Sequence, residues 1–151
     1  MNGESLLNAL RLVPGKKDCH LASLDQLHKL PEKIFLNPAI PKVIVIAANK
    51  EQLSHWVLVY IHQRVGVYID SLAKPVPLPI ERLLRGCCER WYSLCCPVQT
   101  LSSLVCGQAC IYFACRLLGG EPVERILATI PEHPRAAEQI FLGSLCRRFQ
   151  L

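Results

Sequence analysis

The chain has 151 residues and a formal net charge of +5 at neutral pH, and 51% of its residues are hydrophobic while 19% are charged. This length fits a single domain over residues 1–151, and the apolar content excludes long disorder because a core can be buried. The apolar runs are much shorter than the ~20 residues of a membrane-spanning helix, so no membrane segment is expected. The first residues lack the basic head and apolar stretch of a signal peptide, which predicts a protein that is not secreted.

The predicted elements run from helices through a group of strands and back to helices, an order that indicates an α+β fold. The first part contains a helix at 4–12 and a short helix introduced by a capping-box pattern at 23–26. β-Branched runs predict strands at 42–48, 55–61 and 65–70, the last two joined by a two-residue turn at 63–64.

The second half is predicted to contain one strand among four helices. Its elements are a helix at 80–92, a short strand at 95–99, a buried helix at 106–118, a helix at 122–130 and an amphipathic helix at 135–149. We expect the last helix to turn four apolar side chains toward the core: Ile140, Leu142, Leu145 and Phe149.

Three residues at element ends form a candidate catalytic group. His55 opens one strand of the predicted hairpin and Asp70 ends the other, so with a turn at 63–64 we expect them to face each other across the ladder. Cys106 begins the buried helix, whose dipole favours a thiolate, and Gly107 permits close approach of a substrate there. This set predicts a nucleophile, a base and an acid that orients the base.

Two donors are candidates for stabilising an oxyanion. They are the backbone N–H of Cys106 and the side-chain amide of Gln99, seven residues upstream. Structural roles stay open at this point, because a histidine at a strand start, an aspartate in a turn and a cysteine in an apolar helix most often have no catalytic function.

The same residues resemble a known group of enzymes. His55-Trp56, the run Tyr-Ile-Asp-Ser-Leu at 68–72, and Gln99 followed by Cys106-Gly107 are similar to the adenovirus-protease and SUMO-protease superfamily of cysteine peptidases, over residues 43–118. The resemblance implies a papain-like or adenain-like fold, in which helices flank a small, mostly antiparallel central sheet.

The resemblance also implies roles for these residues. His55 is the general base, Asp70 the orienting acid, Gln99 the oxyanion donor and Cys106 the nucleophile. Trp56 packs near the histidine, and Trp56 and Gly107 are candidate substrate contacts.

Two branches of the superfamily compete for the function. The short chain and the seven-residue interval from Gln99 to Cys106 favour an adenain-like enzyme that processes viral structural precursors, located in the virion and the host nucleus. The strand end at 68–72 resembles more closely the branch that removes SUMO or ubiquitin-like modifiers, for which the nucleus or cytoplasm is expected. A catalytically inactive binding module is a third alternative.

Adenovirus proteases imply partners but no cofactor for the chemistry. They are stimulated by DNA and by a viral peptide attached through a disulfide. This makes Arg82, Arg85 and Arg90 candidates for DNA contact and Cys88, or its neighbour Cys87, a candidate for the disulfide. The vicinal pairs at 87–88 and 95–96 lack the Cys-x2–4-Cys spacing of a zinc site, so no metal is predicted and incidental thiols are favoured.

Overall fold

The computed structural model describes residues 3–13, 15–48, 55–94 and 96–149. They form a five-stranded sheet in the order β1-β2-β3-β4-β5, with helices on both faces. The strands are β1 (Cys19–Ser23), β2 (Lys42–Ala47), β3 (Trp56–His62), β4 (Val65–Ile69) and β5 (Arg90–Ser93). The helices are α1 (Gly3–Leu10), α2 (Leu78–Cys87), α3 (Cys106–Leu118), α4 (Val123–Ala128) and α5 (Pro134–Phe149). The expected α+β class is confirmed.

The pairing of the strands makes the sheet mixed. β2 pairs antiparallel with β3 and β3 with β4, whereas the outer pairs β1–β2 and β4–β5 are parallel. The antiparallel character expected for the sheet therefore belongs to its three central strands.

Each face of the sheet carries its own hydrophobic core, which explains why β3 reads as a continuous apolar run. Val57 and Val59 face the side covered by α2, together with Ile80 and Leu84. Trp56 and Leu58 alternate with them and face the larger core, formed with α1, α3 and α5.

No helix in the described part of the chain is long and apolar enough to cross a membrane.

A two-residue turn joins β3 to β4 as predicted. Gln63 and Arg64 both have positive φ, 50° and 61°, which is the conformation of a type I′ hairpin turn. The ladder runs from His62 opposite Val65 to Leu58 opposite Ile69.

Several predicted elements were wrong in position. The strands β1 and β5 were not predicted, and the helix expected over 80–92 ends at Cys87 because the following segment leaves the helix to pair with β4. The strand expected at 95–99 is irregular over 96–99, and Cys95 lies outside the described residues. The capping box is also absent, since Ser23 makes no side-chain cap hydrogen bond and the short helix at Leu24–Lys29 is of the 3₁₀ type.

The inward face of α5 differs from the expected one. Phe141 is fully buried against α3, whereas Leu142 is 37% exposed, so the expected inward position of Leu142 was wrong by one residue. Ile140 is partly buried against the same core as expected, and the side chains of Leu145 and Phe149 lie outside the described part of the chain.

Candidate active site

The packing of α3 on β3 brings together residues that are far apart in the sequence. His55 lies immediately before β3, Asp70 immediately after β4, and Cys106 is the first residue of α3. Gln99 lies in the loop between β5 and α3, and its neighbour Val98 belongs to the same core cluster as Cys106. The candidate catalytic residues thus lie in loops and at the ends of elements, and the sheet and α3 hold them in position.

His55 and Asp70 form a short, shielded hydrogen bond. The distance from His55 Nε2 to Asp70 Oδ1 is 2.7 Å, and the two side chains are 19% and 3% exposed. Asp70 Oδ1 also accepts the backbone N–H of Leu72 at 2.8 Å, which fixes the carboxylate. Because Asp70 occupies Nε2, the other ring nitrogen, Nδ1, is available to the Cys106 sulfur.

The ladder that produces this contact differs in register from the one we expected. Leu58 is opposite Ile69, so the ladder runs two positions away from direct pairing of His55 with Asp70. Both residues lie just beyond the ends of their strands, and their side chains meet diagonally. The predicted contact is present, although direct pairing across the ladder was wrong.

Electrostatics favour the charged forms of both His55 and Cys106. Burial alone would lower the pKa of His55, but its hydrogen bonds with Asp70 and Cys106 and their charges raise that pKa to about 9. Burial alone would raise the pKa of Cys106, but the His55 hydrogen bond, the N–H groups of Trp56 and Gly107, and the imidazolium charge lower it. Both shifts favour a thiolate–imidazolium pair over the neutral thiol and imidazole.

Access to the sulfur is narrow. Cys106 is only 5% exposed, and His55 is the more exposed partner. Cys106 is the first residue of α3, so its own N–H has no acceptor one turn back within the helix and remains a candidate oxyanion donor.

The side chain of Gln99 is buried and held at both ends of its amide group. Gln99 is 4% exposed, its Oε1 accepts a hydrogen bond from Ser71 Oγ, and its Nε2 donates to the carbonyl of Ser103 at 2.9 Å. The carbonyl of Ser71 accepts the backbone N–H groups of Val98 at 2.8 Å and of Gln99 at 3.1 Å. Hydrogen bonds with Ser71 and Ser103 therefore hold both the backbone and the side chain of this candidate oxyanion donor in place.

The residues that hold this loop were not predicted from the sequence. Ser71 was quoted only as part of a strand-end motif, and Ser103 contributes through its backbone, which leaves no sequence signal. Glu138 of α5 accepts the backbone N–H of Thr100 at 2.6 Å and its hydroxyl at 2.9 Å. Only the tertiary packing of α5 reveals that contact, because the two residues are 38 positions apart.

The two candidate substrate contacts occupy different places. The side chain of Trp56 is buried in the larger core, and its indole N–H has no hydrogen-bond partner in the described part of the chain. Its backbone N–H is the group that reaches the Cys106 sulfur. Gly107 is buried in the first turn of α3, where its N–H also contacts that sulfur.

Cys88 and the arginine group lie on and beyond α2. Cys88 is half-buried at the end of α2, and burial raises the pKa of its thiol to about 11. Arg82, Arg85 and Arg90 are exposed, and Arg85 pairs with Glu81 at 2.8 Å. Within the described ranges, no group of three or more His, Cys, Asp or Glu side chains is placed to hold a metal ion.

Solved structures share this fold at low sequence identity. The ASFV pS273R protease superposes with a TM-score of 0.65 at 10% identity, covering 87% of this chain and 62% of that one. The SUMO protease Ulp1 gives a TM-score of 0.52 at 14% identity, covering 95% and 78%. ChlaDub1 from Chlamydia trachomatis gives 0.50 at 16% identity, covering 73% and 60%.

These matches confirm the fold class predicted from the sequence, and at this low identity they show the fold alone. The chain spans about three fifths of the length of the ASFV protease chains that it matches. No protein-family model matches the sequence, and no curated protein matches it significantly.

Proposed function

We propose that this protein is a cysteine endopeptidase in which Cys106 is the nucleophile, His55 the general acid–base and Asp70 the orienting acid. The observation that carries the proposal is the contact chain from Asp70 through His55 to Cys106, with a 2.7 Å bond at its first step and a lowered pKa at its last. Solved proteases with the same fold support this assignment.

The geometry supports acyl transfer in two steps. The Cys106 thiolate attacks the carbonyl carbon of the scissile peptide bond and forms a C–S bond, while the carbonyl oxygen becomes an oxyanion. The Cys106 N–H and the second amide hydrogen of Gln99 Nε2 are the donors assigned to that oxyanion. The C–N bond then breaks as the imidazolium of His55 gives its proton to the leaving amine, which leaves a thioester.

Hydrolysis of the thioester regenerates the site. His55, now neutral, takes a proton from water as the water oxygen attacks the thioester carbonyl. Collapse of the second tetrahedral intermediate breaks the C–S bond and restores the thiolate beside the imidazolium. Throughout both steps the Asp70 carboxylate holds the ring in one orientation.

The substrate that we favour is a viral structural precursor, cleaved during virion maturation. The higher TM-score of the viral protease, 0.65 against 0.52 for Ulp1, supports this choice. Removal of a SUMO or ubiquitin-like modifier is the second candidate, supported by the 95% of this chain that superposes on Ulp1. In the first case the protein acts in the virion and the host nucleus.

Two activators belong to the viral hypothesis. The exposed Arg82, Arg85 and Arg90 are the cations assigned to DNA, and Cys88 is the candidate for a disulfide with an activating peptide. The raised pKa of Cys88 predicts slow thiol exchange, because the thiolate is the reactive form. Trp56 and Gly107 remain the candidate substrate contacts.

The proposal is tested by offering the purified protein two substrates, a Gly-Gly-type viral-site peptide and a SUMO or ubiquitin C-terminal fusion, each with and without DNA. We expect cleavage of one of them, its abolition in Cys106→Ala, and retention in Cys87→Ala, which removes a thiol from α2 instead. Cleavage that survives in Cys106→Ala would remove Cys106 from the mechanism. Cleavage of neither substrate, together with iodoacetamide labelling of Cys106 no faster than that of Cys87, would favour the inactive binding module.

A further inference from the structure

Ser71 makes three hydrogen bonds to the dipeptide Val98-Gln99, although it lies beyond the end of β4 and takes no part in the strand ladder. Its carbonyl accepts the N–H groups of Val98 and Gln99, and its hydroxyl donates to Gln99 Oε1. We propose that Ser71 is a positioning residue, which holds the Gln99 side-chain amide in the one orientation that the Ser103 carbonyl accepts; the inference rests on the proposed function, in which Gln99 stabilises the oxyanion.

The chemistry of its two partners, the Ser71 hydroxyl and the Ser103 carbonyl, allows only one orientation of the Gln99 amide. The carbonyl of Ser103 only accepts hydrogen bonds, so the NH2 end of Gln99 must face it, as it does at 2.9 Å. A flipped amide would place Oε1 against that carbonyl oxygen and leave two acceptors facing each other. With NH2 on Ser103, Oε1 faces the Ser71 hydroxyl, which rotates to donate.

This orientation leaves one N–H of the Gln99 amide for a substrate. Nε2 carries two hydrogens, and the Ser103 carbonyl takes one of them. Ser71 and Gln99 are 3% and 4% exposed, so water competes poorly for the Ser71–Gln99 hydrogen bond. A donor fixed before the substrate arrives costs no reorganisation during the reaction, which is the condition for strong oxyanion stabilisation.

Ser71 also links the two halves of the site, because it follows Asp70 directly. Asp70 orients His55 through Oδ1, and its carbonyl accepts the N–H of Ala73, which closes the turn that contains Ser71. The same turn therefore carries the acid that orients the base and the hydroxyl that holds the oxyanion donor in place.

Ser71→Ala tests the proposal because it removes the hydroxyl and keeps both backbone hydrogen bonds. We expect kcat to fall about tenfold with little change in KM, less than the ~10²–10³-fold loss expected for Gln99→Ala. The double variant Ser71→Ala/Gln99→Ala should be no slower than Gln99→Ala, since Ser71 acts through Gln99. The pH dependence of Cys106 alkylation should match the parent, and Ser102→Ala, an exposed serine in the same loop, should behave as the parent.

A second measurement decides the inference even if the parent cleaves neither substrate, a result that would count against the proposed function alone. The side-chain NH2 resonances of Gln99, identified by their disappearance in Gln99→Ala, should be dispersed in the parent and move toward free-glutamine positions in Ser71→Ala. Unchanged Gln99 resonances in Ser71→Ala would overturn the inference. An equal loss of kcat when Ser71→Ala is added to Gln99→Ala would overturn it as well, because Ser71 would then act independently of Gln99.

Discussion

Asp70→Asn isolates the charge of the orienting acid from its shape. The substitution is close to isosteric and keeps an acceptor oxygen for His55 Nε2 and the Leu72 N–H, which Asp70 Oδ1 receives at 2.7 and 2.8 Å. The carboxylate charge that stabilises the imidazolium is lost. We therefore expect the pKa of His55 to fall from about 9 and the thiolate–imidazolium pair to become less populated at neutral pH.

The size of the effect follows from the pKa of His55. A folded-state value of about 9 against an ordinary 6.5 corresponds to about 3 kcal/mol in favour of the imidazolium, at ~1.4 kcal/mol per pKa unit. Asp70 and Cys106 share this stabilisation, so the loss of the Asp70 charge is expected to remove about half of it or more. We expect kcat/KM at neutral pH to fall between about 10-fold and 10²-fold, and further if the amide selects the wrong ring tautomer.

The assay is the rate of iodoacetamide alkylation at Cys106 as a function of pH, followed by mass mapping, together with kcat/KM on whichever substrate is cleaved. Thermal unfolding of each variant shows whether the fold is retained. Glu89→Gln is the matched control, because it removes one negative charge from an exposed pair with Arg64. Alkylation and turnover in Asp70→Asn that match the parent across the pH range would show that another group orients His55.

Two further predictions use the shifted pKa values. Because the pKa of Cys106 is lowered from 9.0, we expect kcat/KM to rise with pH below pH 9 as the thiolate forms. Because the pKa of His55 is raised to about 9, we expect kcat/KM to fall near pH 9 as the imidazolium loses its proton. A profile that keeps rising above pH 10 would contradict this prediction. Glu138→Ala should cost about 1 kcal/mol of stability, measured by urea unfolding, because Thr100 loses its acceptor. Burial alone would raise the pKa of Glu138, but its hydrogen bonds with Thr100 and Ser103 lower that pKa. The stability that the Glu138 carboxylate contributes is therefore present above pH 4.5 and is lost as the pH falls below that value. A stability difference between Glu138→Ala and the parent that persists in acid would assign the effect to packing.

The parts of the fold predicted correctly are those whose signal is local. The helix at Cys106–Leu118 was predicted with its exact bounds, because an apolar run of that length ends at a pair of glycines. The central strands and the turn at 63–64 follow from β-branched runs and their spacing. These elements carry His55, Asp70 and Cys106, so the triad candidates were accessible from sequence.

The missed parts depend on contacts between distant segments. β1 and β5 are short, and each is stabilised by a parallel partner rather than by its own pattern, so residues 90–92 of β5 were assigned to the preceding helix. The residues that hold Gln99 were missed for the same reason, since a buried serine and a glutamate on a distant helix have no distinctive spacing. On α5 the inward position was assigned to Leu142 instead of Phe141 because the helix sequence is only weakly amphipathic, and packing against α3 selected Phe141.

The two-residue turn at Gln63-Arg64 fixes the register of β3 against β4, and this register determines whether His55 and Asp70 meet at the far end of the hairpin. If this hairpin tip keeps two residues, one extra residue in β4 alone would slide β4 along β3 by ~3.4 Å and turn every side chain of β4 to the opposite face, which would separate Asp70 from His55. A longer ribbon preserves the contact only if both strands grow by the same number of residues. Relatives that keep a two-residue tip are therefore expected to separate the histidine and the acid by an odd number of positions, as the fifteen positions here do.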